Sequence, residues 1–297
     1  MRTVFLGTSE FAAAVLRTLA GSPHRPALVV TRPDRPRGRG RQLASPPVAE
    51  LARELGIPLD QPASVNDDAA GERIAETDPE RVCVCAFGAL IKKPLLTRYL
   101  LLNVHPSLLP RWRGAAPIER AIMAGDDVTG VSIMRITAGL DSGPVCLVRR
   151  EPIAPGDSYG SLAERLRRIG GELLVEALDE SPPFVEQDER LATYAEKISA
   201  ADRLLDVTRP ARELERAVRA LAPHVGAAVE LPGGARLGVW EAVAHPAAEG
   251  DPGPGELSTT AGAPLLGCTP GTLELVTVQP AGRRAMPGAA YLRGLRG

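Results

Sequence analysis

The chain has 297 residues, 44% hydrophobic but only 3% aromatic, and a formal net charge of −1 at pH 7. That length points to two domains whose cores are filled by Ala, Val and Leu. The near-zero charge excludes a global field that steers nucleic acid, so any basic contact surface is local. No apolar run is long enough to span a bilayer.

From the start, Val4–Leu6 reads as a strand and Glu10–Leu19 as a helix. The opening stretch lacks the extended apolar core and small-residue cleavage site of a signal peptide, so a cytoplasmic protein is expected. The turn Gly7-Thr-Ser-Glu-Phe11 lacks the G-x-G-x-x-G pattern and argues against a nicotinamide enzyme. Ala27–Thr31 is the next strand. Behind it, Arg32–Arg41 holds five arginines, one acid, two glycines and two prolines. It suits neither a regular helix nor a central strand. A cationic loop after a parallel strand lies where open α/β sheets bind ligands. It fits a polyanion, and it equally fits a solvated charge run.

Pro47–Leu55 reads as a helix, Arg81–Phe87 and Leu100–His105 as strands, and Ala115–Ala124 as a helix. Val131–Thr137 and Val145–Arg150 form a strand pair, and Ser161–Leu178 is a long amphipathic helix. Strand–helix alternation predicts an α/β domain with a mostly parallel sheet. Ser181-Pro-Pro183 ends it, and a polar stretch to about Asp202 reads as a linker. A helix, Ala211–Leu221, comes next. Short strands follow at Ala227–Leu231, Arg236–Ala244, Gly255–Thr259, Pro264–Cys268 and Thr272–Gln279, separated by Gly and Pro turns. They predict a small all-β barrel or sandwich. The expected organisation is residues 1–180, a linker at 181–202, and a second domain at 203–297.

Cys83, Cys85, Cys146 and Cys268 lack C-x-x-C spacing and read as buried thiols in a reducing compartment. Four scattered histidines give no metal-ligand cluster, so no metal is expected. There is no nucleophile elbow, P-loop or HExxH helix.

Chemistry concentrates in Asn103-Val-His-Pro-Ser-Leu-Leu-Pro-Arg-Trp-Arg-Gly-Ala-Ala-Pro-Ile118. Asn103 and His105 are two apart at a strand end, so their side chains share a face. An amide beside an imidazole can hold a developing oxyanion and move a proton. A satisfied core histidine explains the same spacing about as well. Asp141, in the Gly-flanked Ala138–Gly143 loop, can orient His105 or be an ordinary turn aspartate.

The run from Asn103 to Ile118 closely resembles the signature of the methionyl-tRNA formyltransferases. Gly139-Leu-Asp-Ser-Gly143 resembles that family's second motif. Gly7–Phe11, Pro33–Gly40, Thr193-Tyr-Ala-Glu-Lys-Ile198 and Gln279–Met286 match it in order, so the resemblance runs from about residue 4 to about 292. It implies a Rossmann-like formyltransferase domain and a C-terminal OB-like β-barrel that binds tRNA. The implied activity is transfer of a formyl group from 10-formyltetrahydrofolate to the α-amino group of methionyl initiator tRNA. The implied catalytic residues are Asn103, His105 and Asp141. Ser107, Leu108, Leu109 and Pro110 match the folate-binding loop, and Phe87–Leu90 the lining of the pterin pocket. Arg32–Arg41, centred on Arg39, matches the loop that enters the acceptor stem. The expected partners are the initiator tRNA and the folate cosubstrate, with no membrane and no metal, for a chain acting as a monomer.

This chain departs from the family at Asp141-Ser-Gly-Pro144, where Asp-Thr-Gly-Asp is usual. It departs again at Leu205-Asp-Val207 and at Ala222-Pro-His-Val-Gly226, which stand for Ile-Asp-Trp and an aromatic-rich Pro-Trp-Pro segment. Residues 203–297 carry ten Arg and nine acids, so the second domain is not strongly basic; the four arginines from Arg283 onward face no acid in that tail. Two other readings stand beside tRNA formylation. One is formylation of a small amine, such as a sugar nucleotide or glycinamide ribonucleotide. The other is an RNA-binding protein with a vestigial pocket.

Overall fold

A computed structural model describes residues 1–37, 42–258 and 262–295. In chain order the elements begin β1 (Thr3–Gly7), α1 (Glu10–Ala20), β2 (Pro26–Val30), β3 (Arg35–Arg37), β4 (Gln42–Ala44), α2 (Pro47–Glu54), β5 (Leu59–Asp60) and α3 (Asp68–Glu76). They continue β6 (Arg81–Cys85), α4 (Leu95–Arg98), β7 (Leu101–His105), β8 (Arg113–Gly114), α5 (Pro117–Ala124), β9 (Val128–Arg135), β10 (Val145–Pro152), α6 (Tyr159–Glu180) and β11 (Tyr194–Ala195). The chain ends with α7 (Ala211–Leu221), β12 (Ala227–Glu230), β13 (Arg236–His245), β14 (Leu257–Ser258), β15 (Leu265–Gly267), β16 (Thr272–Pro280), β17 (Met286–Pro287) and α8 (Gly288–Leu295).

Two compact units emerge. The first comprises Met1–Gly114, Thr129–Glu151 and Ala163–Tyr194. Its seven-stranded sheet has the order β10-β9-β7-β6-β1-β2-β5. The pairs β7–β6, β6–β1, β1–β2 and β2–β5 are parallel, and β7–β9 is antiparallel. Every residue of β1 is buried, as expected of a parallel sheet covered on both faces. Each fully buried Val, Leu, Ile or Phe there contributes about 1.5–3 kcal/mol relative to exposure. Gly7 is required by close approach, since a Cβ would press on Phe5, Ala12 and the Cys85 carbonyl. Ser9 then caps α1 by accepting the Ala12 N–H at 3.3 Å.

This sheet brings the carboxyl ends of β1, β2, β6 and β7 to one edge. There β6 stops at Cys85, short of the expected Phe87, because Ala86 and Gly88 turn through φ of 42° and 71°. The Arg-rich segment is partly structured: β3 and β4 pair antiparallel outside the main sheet. Arg39, its expected centre, lies outside the described residues, as does Thr259 at the end of one expected strand. The helices α3, α4 and α8 lack a strong sequence signal. The first buries only Ala70 and Ile74 around a glycine, the second is four residues long, and the third starts at Gly288.

Cys83 and Cys85 are buried in β6, and burial pushes the Cys83 thiol up to about 12. Among the described residues no helix is long and apolar enough to cross a membrane, and no His/Cys/Asp/Glu group is placed to hold a metal.

The second unit comprises Ala115–Val128, Pro152–Leu162 and Ala195–Gly297. Its antiparallel sheet has the order β12-β13-β16-β15-β14, with β17 on β16. Leu214, Val218 and Leu221 of α7 recur at helical spacing and join its core with Val229, Val239, Leu273 and Leu275. The fold is thus α/β with a mostly parallel sheet plus a C-terminal antiparallel β part, as the strand patterns predict.

One ion pair in this unit carries a pH signature. Arg120 donates to both carboxylate oxygens of Asp202, at 2.6 and 3.2 Å, and Ser199 adds its N–H and hydroxyl. The Arg120 hydrogen bond, against the cost of burial, holds the Asp202 carboxyl well below the usual range. A depressed carboxylate stabilises above its unfolded value, about 3.9, and that contribution is lost as pH falls toward the folded value. Asp202→Asn is therefore expected to cost about 1–3 kcal/mol at pH 7, with the difference from the parent shrinking below about pH 4. Urea midpoints at pH 7 and pH 3.5 measure it; an equal difference at both values would sink the assignment.

Candidate active site

β7 carries Asn103 and His105 on one face, while Val104 points the other way toward Gly170 of α6. Asn103 pairs in register with Val84 on one side and Met134 on the other, so its backbone is held from both flanks. Its half-buried side chain takes no hydrogen-bond partner among the described residues, leaving the amide free for a ligand.

His105 is 4% exposed, and its ring is fixed from one edge. Nε2 lies 2.8 Å from the Trp112 carbonyl oxygen. A carbonyl only accepts, so Nε2 carries the hydrogen and Nδ1 is the edge left for chemistry. That edge faces Asp141 Oδ2 at 3.7 Å. The separation is longer than a hydrogen bond but close enough to stabilise an imidazolium. The orienting hydrogen bond on His105 therefore comes from Trp112, and Asp141 acts on the opposite edge.

Asp141 sits in the left-handed region, with φ of 45°. Its Oδ2 accepts the Gly114 N–H at 2.9 Å. Its carbonyl, and that of Gly143, accept from Gln187 Nε2 at 2.8 and 2.7 Å. A Cβ on Gly143 would overlap the Arg135 carbonyl, so only glycine fits there. Pro144, which departs from the family pattern, is buried, and its carbonyl accepts the Arg135 N–H at 2.9 Å. A proline is accommodated because the contact it makes needs only its carbonyl.

The Ser107–Pro110 turn is locked from inside. Ser107 is fully buried, and its hydroxyl donates to the Arg111 carbonyl at 2.6 Å. Ser132 Oγ donates to the Ser107 carbonyl and accepts the Leu109 N–H. The Ser107 hydroxyl is thus committed to shaping the turn. The half-buried Leu108 and Leu109 are what the turn offers outward. At the neighbouring end of β6, Phe87 is buried while Leu90 is 68% exposed.

Further along the same sheet edge, a cavity of about 200 Å³ is lined by Thr8, Arg32, Arg35, Pro36 and Ser45. Arg32 is braced by the Gly88 carbonyl at 3.2 Å. The lining excludes Asn103, His105 and Asp141, so this cleft is a neighbour of the trio and not its container.

The structure brings Asn103, His105 and Asp141 together and adds groups absent from the sequence reading. These are the Trp112 carbonyl, the Gly114 N–H, Arg113 and Gln187. Arg113 and Gly114 lie inside the signature run, where a glycine at φ 119° marks a special turn. Gln187 has no such signal, since it falls in a polar stretch without periodicity.

The Formyl transferase family matches residues 1–178, and its C-terminal domain family matches residues 197–296. A methionyl-tRNA formyltransferase of Rubrobacter xylanophilus is 46% identical over 99% of this chain and 97% of its own length. That of Methylococcus capsulatus is 43% identical over 98% and 96%. HypX of Aquifex aeolicus in complex with tetrahydrofolic acid superposes with a TM-score of 0.64 at 19% identity, over 98% of this chain and 47% of its own. At that identity the likeness concerns the fold alone.

Proposed function

The chain belongs to the methionyl-tRNA formyltransferase family, and we propose that it moves the formyl group of 10-formyltetrahydrofolate to the α-amino group of methionyl initiator tRNA, with Asn103, His105 and Asp141 as the catalytic trio. The observation that carries the proposal is the convergence at the β7 edge. A free amide stands two residues from a buried imidazole whose one open edge faces a carboxylate.

The folate cosubstrate supplies the one-carbon unit. The residues present suit it: Leu108, Leu109 and exposed Leu90 offer apolar surface for a flat ring, and the Asn103 amide is free for a formyl oxygen. Ser107, Leu108, Leu109 and Pro110 would hold it mainly through shape, because the Ser107 hydroxyl is already used.

Asn103 donates its amide N–H to the formyl oxygen as negative charge builds there. One such donor lowers the barrier by about 3–4 kcal/mol. His105 works through Nδ1. It takes the proton that the amine loses on forming the new C–N bond, and gives it to the folate nitrogen as the old C–N bond breaks. Asp141 stabilises the imidazolium in between. Its carboxylate is held toward that edge by the Gly114 N–H.

Residues 1–180 form the catalytic part in this reading, with 181–202 leading to a tRNA-binding part at 203–297. Arg32 and Arg35 line a cleft on the catalytic edge and place positive charge where a phosphate backbone would arrive. The enzyme would act as a cytoplasmic monomer.

The test is direct. Purified protein given 10-formyltetrahydrofolate and methionyl-tRNA is expected to yield formyl-methionyl-tRNA, and to leave free amines offered in its place unformylated. No formylated tRNA would overturn the proposal. Arg39→Ala is expected to weaken tRNA binding and lower the slope of log K against log salt by about one, the value for one phosphate contact. An unchanged slope would mean that the loop is simply solvated.

A further inference from the structure

Two residues beside His105 hold left-handed backbone without being glycine: Trp112 at φ 65° and Asp141 at φ 45°. Each such residue costs of order 1–3 kcal/mol and persists only where its surroundings over-determine it. Both are held from a single segment, residues 187–193, in the stretch that reads as a linker from sequence.

At one end of the segment, Gln187 Nε2 donates to the Asp141 and Gly143 carbonyls at 2.8 and 2.7 Å. At the other, Thr193 Oγ1 accepts the Trp112 N–H at 2.9 Å, its N–H donates to the Pro110 carbonyl, and its own carbonyl accepts the Arg113 N–H. The backbone on both sides of the imidazole is therefore tied to one strap.

The orientation of the Gln187 amide is dictated by chemistry. Arg113 Nε and Nη2 donate to its Oε1 at 3.1 and 2.9 Å. An arginine has donors only and a backbone carbonyl accepts only, so oxygen must face Arg113 and nitrogen the Asp141 loop. Arg113 is 1% exposed and its other edge is fixed by Glu189 at 2.8 and 2.7 Å. The amide cannot turn over without losing four hydrogen bonds.

We infer that Gln187 is a positioning residue for formyl transfer: oriented by Arg113, it fixes the backbone of Asp141 so that the carboxylate meets the open edge of His105. This rests on the proposed role of Asp141. Gln187 itself touches no reacting atom, so its loss acts on turnover through Asp141 and not on ligand affinity.

Gln187→Glu tests it, because the carboxylate still accepts from Arg113 but cannot donate to the two carbonyls. Gln187→Met, similar in length and without polar atoms, is the second variant. In both, kcat is expected to fall roughly 10- to 100-fold, the scale of a misplacement near 1 Å, with KM for methionyl-tRNA and for the folate within about twofold of the parent. In an Asp141→Asn background, Gln187→Glu is expected to cost less than about threefold more, because the residue it acts through is already disabled. Unchanged kcat in both Gln187 variants, beside an impaired Asp141→Asn, overturns the inference and leaves the trio standing. The same holds if the Gln187→Glu loss is equally large in both backgrounds, or if kcat and both KM values degrade together with the melting temperature. A fully active Asp141→Asn overturns the trio, and the inference with it.

Discussion

Asn103→Ala is expected to lower kcat by about 10²- to 10³-fold, and His105→Ala by about 10³-fold or more, while each leaves the Kd for methionyl-tRNA within about threefold of the parent. The asymmetry between the two follows from their surroundings. Asn103 is half-buried and its amide has no partner among the described residues, so truncation removes nothing that holds the fold. It is the cleaner probe: any loss reports an interaction made with the substrate during reaction. His105 is buried and donates to the Trp112 carbonyl, so its removal also strands an acceptor at a cost of about 1–3 kcal/mol. His105→Asn, which can still donate from a shorter side chain, separates the two effects. Single-turnover rates with saturating folate, set beside tRNA binding at fixed salt, decide the matter. Equal losses in rate and binding for Asn103→Ala would make that residue a structural one.

The sequence exposed those parts of the molecule that depend on side-chain type at short spacing. The strand ends at Gly7, at Asn103–His105 and before Ala138–Gly143 carry recognisable punctuation, and the structure puts each at an edge or turn of the parallel sheet. α7 is legible because Leu214, Val218 and Leu221 recur on one face. α3 is not, because two buried residues around Gly71 make no stripe. At the site, spacing places Asn103 beside His105 but cannot bring Asp141 to them, since 35 residues lie between His105 and Asp141. The ring's actual anchor, a backbone carbonyl at Trp112, carries no mark in the sequence, for every residue has one. Gln187 is hidden for another reason. Its segment is polar and only partly buried, so it reads like a solvated connection although two of its side chains hold the backbone on either side of His105.

Arg113→Ala is expected to be the most destabilising single change near the site, lowering the unfolding free energy by about 2–4 kcal/mol. Arg113 is 1% exposed and satisfied by a double fork: Nε and Nη2 on Gln187, and Nη1 and Nη2 on the Glu189 carboxylate. Truncation leaves a side-chain-sized void and a Gln187 oxygen without its donors. The cost stays below that of splitting a fully buried ion pair, because the Glu189 side chain is 68% exposed and rehydrates once its partner is gone. That exposure also predicts an unequal response of the two partners. The hydrogen bond to Arg113 holds the Glu189 carboxyl below its usual value, yet Glu189→Gln should shift stability little, since the amide can still accept and water reaches it. Arg113→Lys should recover only part of the loss, because one ammonium cannot present two parallel edges to Gln187 and Glu189 together. Urea midpoints at constant m-value rank the variants. Parent-like stability in Arg113→Lys would mean that a buried charge suffices and the planar fork is incidental. Parent-like stability in Arg113→Met would mean that the side chain merely fills space.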